Sequence, residues 1–137
     1  MVIADTGFWL ALANRTDRHH ERAVECAERF PQLVTTWPVL TETCHVLLTR
    51  LGAASQQAFV RSVAAGACEL FDLQAEHLAA LPSLMDKYAD LPMDLADASL
   101  VLLAGELGHG RILSTDRRDF GAYRWKQHEP FENLLLG

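Results

Sequence analysis

The sequence predicts an α/β domain with a mostly parallel sheet of four to five strands, and three observations carry that prediction. Short apolar or β-branched runs alternate with helical stretches along the chain. Glycine and proline mark most of the junctions between them. Residues 94–107 are apolar nearly all round, as suits a helix packed under a sheet.

Taken in order, Val2-Ile3-Ala4 reads as a buried strand that stops at Asp5-Thr6-Gly7, and Phe8 to Ala13 continues with helical character. His19 to Phe30 places Ala23, Val24, Ala27 and Phe30 on one helical face, and Pro31 closes it. Leu33-Val34-Thr35-Thr36 is the second strand, bounded by Pro31 and Pro38. Pro38 to Leu51 follows as a helix with proline in its first turn and Gly52 past its end. Ser55 to Ala65 is a further helix with Ser55 as its cap. Cys68 to Leu73 alternates apolar with acidic residues, as a strand nearer a sheet edge would.

Ala75 to Tyr88 is amphipathic, with a kink or break expected at Pro82. Asp94 to Leu107 ends at Gly108 and Gly110, and Ile112-Leu113-Ser114 is a fourth strand with Thr115-Asp116 at its exit. Ala122 to Trp125 is a candidate fifth strand. There is no internal repeat, linker or low-complexity tract, so residues 1–137 form one domain.

Half the residues are hydrophobic and 22% are charged, far from the signature of disorder. A net charge of −6 and a pI near 5.4 exclude a protein that coats nucleic acid through a broad basic face. Any such contact is local, with Arg15, Arg18, Arg117, Arg118, Arg124 and Lys126 as candidates. Three cysteines without ligand spacing suit a reducing, intracellular compartment. Phe8 to Ala13 ends in Ala-Leu-Ala, but Asp5 interrupts the segment and no basic region precedes it, so a signal peptide is not expected. No stretch approaches the roughly 18 apolar residues of a membrane span. A soluble, cytoplasmic protein without membrane contact is the expectation.

Function rests on four separated acids, Asp5, Glu42, Asp97 and Asp116, each where a strand ends or a helix begins. Sites in open parallel sheets lie beyond the carboxyl ends of the strands, so this fold gathers all four at one edge. Scattered carboxylates brought into one pocket suit a hard divalent cation, and such a cation suits phosphate chemistry. Singly, each acid also has an ordinary explanation as a helix cap, a first-turn acid or a turn residue. The apolar surroundings of Asp97 shift the balance, because an unpaired acid there is expensive. Asp94 and Asp97 are spaced i, i+3 on one helix face, so one can ligate while the other caps.

These residues resemble the PIN-domain nucleases, and most closely the VapC-like toxins of bacterial toxin-antitoxin pairs. The resemblance rests on the strand ending in Asp5-Thr6, on Thr41-Glu42, on Asp94-Leu95-Ala96-Asp97-Ala98-Ser99-Leu100, and on Ser114-Thr115-Asp116-Arg117-Arg118-Asp119-Phe120. It spans essentially the whole chain. It implies a three-layer α/β/α domain whose acidic pocket binds Mg²⁺ or Mn²⁺ and hydrolyses RNA phosphodiesters. Asp5, Glu42, Asp97 and Asp116 are then the acidic quartet. Asp5, Asp97 and Asp116 are the expected metal ligands, and Glu42 orients or deprotonates the attacking water. Thr6 and Thr115 match the small hydroxyl residues beside the acids, and the roles of Asp94 and Asp119 stay open.

The same resemblance implies a homodimer, silenced by a small antitoxin whose amphipathic helix lies in an apolar groove and whose arginine enters the acidic pocket. Two alternatives stand beside the toxin: a housekeeping RNA-processing nuclease of the same fold, and a non-catalytic module that binds RNA or protein. An aspartate-based phosphotransferase is disfavoured, since it wants an Asp two residues after Asp5 and position 7 is glycine. His19-His20-Glu21 does not suit a shared ion, because adjacent helical residues diverge by about 100°.

Overall fold

The computed structural model describes residues 1–137. Strand β1 (Val2–Ala4) leads directly into helix α1 (Thr6–Ala13), and α2 (His20–Arg29) precedes β2 (Leu33–Thr36). Helices α3 (Trp37–Arg50) and α4 (Ala53–Ala64) follow, then β3 (Glu69–Phe71), α5 (Ala75–Lys87) and α6 (Leu95–Leu107). The chain ends with β4 (Arg111–Leu113), α7 (Arg117–Ala122), β5 (Arg124–Trp125), β6 (Glu129–Pro130) and β7 (Glu132–Asn133).

Five strands form the central sheet in the order β3-β2-β1-β4-β7. Every pairing in it is parallel, with Val2 opposite Leu33, Ile3 opposite Ile112, Thr35 opposite Leu70 and Ile112 opposite Asn133. This is the expected sheet, with helices flanking it, and β3 lies at an edge as its acidic alternation suggested. Central strand β1 is buried at all three residues. Strand β3 is more open, with Glu69 exposed and Leu70 and Phe71 half-buried. Val2, Ile3, Phe8, Val39, Leu47, Leu100, Leu103, Ile112 and Leu113 belong to one continuous core of 28 buried residues.

Several sequence expectations are adjusted. Strand β5 pairs antiparallel with β6 in a separate hairpin, and the fifth sheet strand is β7. Helix α5 runs through Pro82 without a break. Proline there removes the N–H that would bond the Leu78 carbonyl, and the helix continues past it. Gly52, not Ser55, stands at the cap position of α4. No helix is long and apolar enough to cross a membrane, and all three cysteines are free.

Two contacts position the rim at the carboxyl ends of the strands. Thr36 caps α3 by accepting the Val39 N–H at 3.4 Å, and its hydroxyl lies 2.6 Å from that of buried Ser99 on α6. Ser99 in turn donates to the Ala96 carbonyl at 2.6 Å, which assigns Thr36 as the donor to Ser99. This relay ties the start of α3, which carries Glu42, to the start of α6, which carries Asp97. The second contact is Gly7 against Thr115: a Cβ on Gly7 would lie 1.9 Å from Thr115 Oγ1. Only glycine lets the first turn of α1 approach the β4–α7 turn so closely.

Ser99→Ala removes the acceptor of a buried hydroxyl, so urea unfolding should show a loss of about 1–3 kcal/mol. Gly7→Ala forces Thr115 and the neighbouring Asp116 to move. Calorimetry of Gly7→Ala should show a lower melting temperature than wild type, because the close approach of α1 to the β4–α7 turn is lost.

Candidate active site

Asp5 is the innermost acid, 6% exposed, on an extended backbone between β1 and α1. Its Oδ1 accepts the Thr6 N–H at 2.8 Å, and its Oδ2 accepts the Ser114 hydroxyl at 2.8 Å. Both bonds favour the carboxylate. Burial outweighs them and, with smaller contributions from Glu42 and Asp116, pushes the carboxyl up to about 6.

Ser114 holds two acids at once, because its buried oxygen also accepts the Asp116 N–H at 2.9 Å. Asn133 on β7 braces this corner by donating to the Ser114 carbonyl at 2.9 Å and accepting the Leu135 N–H at 3.1 Å. Asp116 caps α7 by accepting the Asp119 N–H at 2.9 Å. Burial raises its carboxyl above the ordinary value, and the charge of Asp119 adds to the rise. Asp119 is itself buried, with its Oδ1 3.0 Å from the exposed Arg118 Nε.

Asp97 lies in the first turn of α6 and accepts a hydrogen bond from the Tyr123 hydroxyl at 2.9 Å. Burial first, then the charge of Asp94, push its carboxyl up to about 7, with Asp5 and Asp119 contributing and Tyr123 acting in the opposite direction. The Tyr123 phenol is raised by burial and by Asp97, so it remains a donor. Asp94 is exposed and caps the same helix by accepting the Asp97 N–H at 2.8 Å. Of this i, i+3 pair, Asp94 is therefore the cap.

Half-buried Glu42 completes the rim. Its carboxyl is raised by burial and by Asp94, while the Thr6 hydroxyl acts in the opposite direction. That hydroxyl is buried and lies outside full hydrogen-bond geometry with any partner. It is a buried polar atom beside Glu42 with spare hydrogen-bonding capacity.

Asp5, Glu42, Asp97 and Asp116 thus stand along one rim within range of pairwise charge repulsion, Asp5 with Glu42 and Asp116, and Asp97 with Asp5. Asp94 and Asp119 join them. As the side chains stand, no three His, Cys, Asp or Glu groups close on a common point as metal ligands. The donor chemistry nevertheless fits a hard cation: every group is a carboxylate or hydroxyl oxygen, and each carboxylate keeps lone pairs beyond the bonds it accepts.

The sequence reading gave Ser114, Tyr123 and Asn133 no role at the site. Ser114 stands inside the quoted Ser114-Thr115-Asp116 run, yet its partner Asp5 is 109 residues away. Among the C-terminal candidates for nucleic-acid contact, Arg117 donates once to the Leu136 carbonyl at 3.1 Å, and Arg124 directs one guanidinium nitrogen at the carbonyls of Gly121, Ala122 and Tyr123. Trp9 is core, as expected, whereas Trp37 is 52% exposed with its indole N–H on Asp72 at 2.7 Å.

The PIN domain family model matches residues 2–126. Ribonuclease VapC26 of Mycobacterium tuberculosis (strain ATCC 25618 / H37Rv) is 32% identical over 124 residues, which cover 90% of this chain and 92% of that protein. Among solved structures, Mycobacterium tuberculosis VapC20, a Sarcin-Ricin loop cleaving toxin, superposes with a TM-score of 0.82 at 22% identity, covering 95% of this chain and 100% of that one. At that identity the likeness speaks for the fold. The chain belongs to the PIN-domain family, among its VapC-like members.

Proposed function

We propose that this protein is a divalent-metal-dependent endoribonuclease acting as the toxin of a toxin-antitoxin pair. The observation that carries the reading is the set of mutually sensitive acids at the carboxyl rim of the sheet. The ribonuclease relative, aligned over nine-tenths of the chain, supports the substrate class. A non-catalytic module is disfavoured, because buried carboxyls that raise one another's pKa destabilise a fold that has no use for them.

Asp5, Asp97 and Asp116 would hold Mg²⁺ or Mn²⁺, to which carboxylate oxygens are the natural ligands. The bound cation would neutralise phosphoryl oxygens and lower the pKa of a bound water. The chain's own groups do the rest. Ser114 keeps Asp5 and Asp116 in a fixed relation, and Tyr123 orients Asp97. Glu42, made more basic by burial and by Asp94, takes the proton of the attacking water. An antitoxin, a second copy of the chain and a cytoplasmic setting belong to the same reading, and the toxin among the solved likenesses supports the first of these.

Expression of wild type and Asp5→Ala in cells with RNA profiling tests this function: growth arrest and cleaved RNA are expected only for wild type. Equal growth and intact RNA in both would overturn the toxin reading. In vitro, Asp97→Asn should lower metal-dependent RNA cleavage by about 100-fold or more, while Tyr123→Phe, which loses an outer partner of a ligand, should lower metal affinity by about 10–100-fold.

The raised carboxyls also set a pH dependence. Below the ordinary aspartate value of 3.8, Asp5 and Asp97 are protonated in both folded and unfolded chains. Between 3.8 and about 6 to 7 the unfolded chain ionises first, so their contribution to stability falls as pH rises through that window. Chemical denaturation in EDTA should show this loss. Saturating Mn²⁺ should reverse it in wild type and largely fail to do so in Asp97→Asn.

A further inference from the structure

We propose that the cleft between α1 and α3 is a subsite for the sugar-phosphate backbone of single-stranded RNA, with Arg18 and Arg50 each taking a phosphate. This rests on the ribonuclease reading and adds where the strand lies. The cleft has a volume of about 390 Å³. Gly7 and Thr115 form part of its wall, and they are chain neighbours of Thr6 and Asp116 on the acidic rim. A strand whose reacting phosphate sits at the rim therefore has this cleft as a direct continuation.

The guanidiniums suit that role because neither is engaged. Arg18 and Arg50 are exposed and enter none of the salt bridges of the structure. Arg22 on α2, by contrast, donates to the Leu134 and Leu135 carbonyls and to Glu25. The one carboxylate lining the cleft, Asp17, has its Oδ1 on the His19 backbone N–H at 2.8 Å. Asn14, also lining the cleft, uses its side-chain oxygen on Thr16, which leaves its two amide hydrogens for a phosphate or ribose oxygen. Planar guanidinium pairs phosphate through two parallel hydrogen bonds. In a chain of net charge −6, local contacts of this kind are what let an RNA approach an acidic pocket at all.

The test is fluorescence anisotropy of a 5′-labelled, twelve-nucleotide single-stranded RNA in EDTA, measured across salt concentrations. Compared are wild type, Arg18→Gln/Arg50→Gln, and a control that removes two guanidiniums elsewhere, Arg61→Gln/Arg111→Gln. Each phosphate contact on a single strand contributes about 0.7 to the slope of log affinity against log salt, so the cleft variant should lose about 1.4. Its affinity should fall by about tenfold, and the control should match wild type. An unchanged slope and affinity in the cleft variant, or an equal loss in the control, overturns the proposal. A cleft that serves a peptide arm would give the first of these results. The parent reading is judged separately, by whether wild type cleaves the same RNA with Mn²⁺: cleavage beside an unaffected cleft variant leaves the ribonuclease standing without this subsite. Neither binding nor cleavage by wild type overturns both.

Discussion

Like charges held together at the positive ends of helices are the constraint on which this structure depends. Because all five strands of the central sheet run parallel, their carboxyl ends share one rim, and the chain leaves β1, β2 and β4 there into the N-termini of α1, α3 and α7. Helix α6 returns antiparallel to the strands and starts at the same rim, as its Thr36–Ser99 link to α3 shows. Asp5, Asp94 and Asp116 each accept a backbone N–H at one of these starts. Helix N-termini favour negative charge by about 0.3–1 kcal/mol each, which offsets part of the mutual repulsion. The acids are therefore caps and pocket at once, and the ordinary structural explanation of each is compatible with its chemical one.

Neutral groups, not cations, fix the geometry of the pocket. Ser114 spaces Asp5 from Asp116, Tyr123 holds Asp97, and the Thr36–Ser99 relay joins the helices that carry Glu42 and Asp97. Arg118 pairs with Asp119, and no lysine or arginine forms a salt bridge with Asp5, Glu42, Asp97 or Asp116. Hydroxyl donors orient a carboxylate without neutralising it. The rim is consequently oxygen-lined with no built-in cation, burial raises the cost of each charge, and a divalent cation is the partner that such an arrangement favours.

The strand-helix alternation and the acids at the strand exits were legible in the sequence because both are local patterns. Strand β2 at Leu33–Thr36 and the β1 stop at Asp5 depend only on neighbouring residues. Helix α7 escaped because six residues containing Gly121 show no apolar period. The β5–β6 turn places Lys126 and Gln127 at positive φ of 45° and 72°, so it lacks the glycine that normally announces a hairpin. Two-residue β7 carries no pattern at all. The hydroxyl contacts of Ser114 and Tyr123 span 109 and 26 residues, and nothing in the sequence around either end points to the other.

The central claim is that Asp5, Asp97 and Asp116 take one divalent ion between them. Anomalous scattering from crystals grown with Mn²⁺ tests it most directly. The account predicts a manganese peak within about 2.5 Å of carboxylate oxygens from these three residues, reached by side-chain rotation at the rim. Manganese bound elsewhere on the chain, with this rim ordered and free of anomalous density, would contradict it.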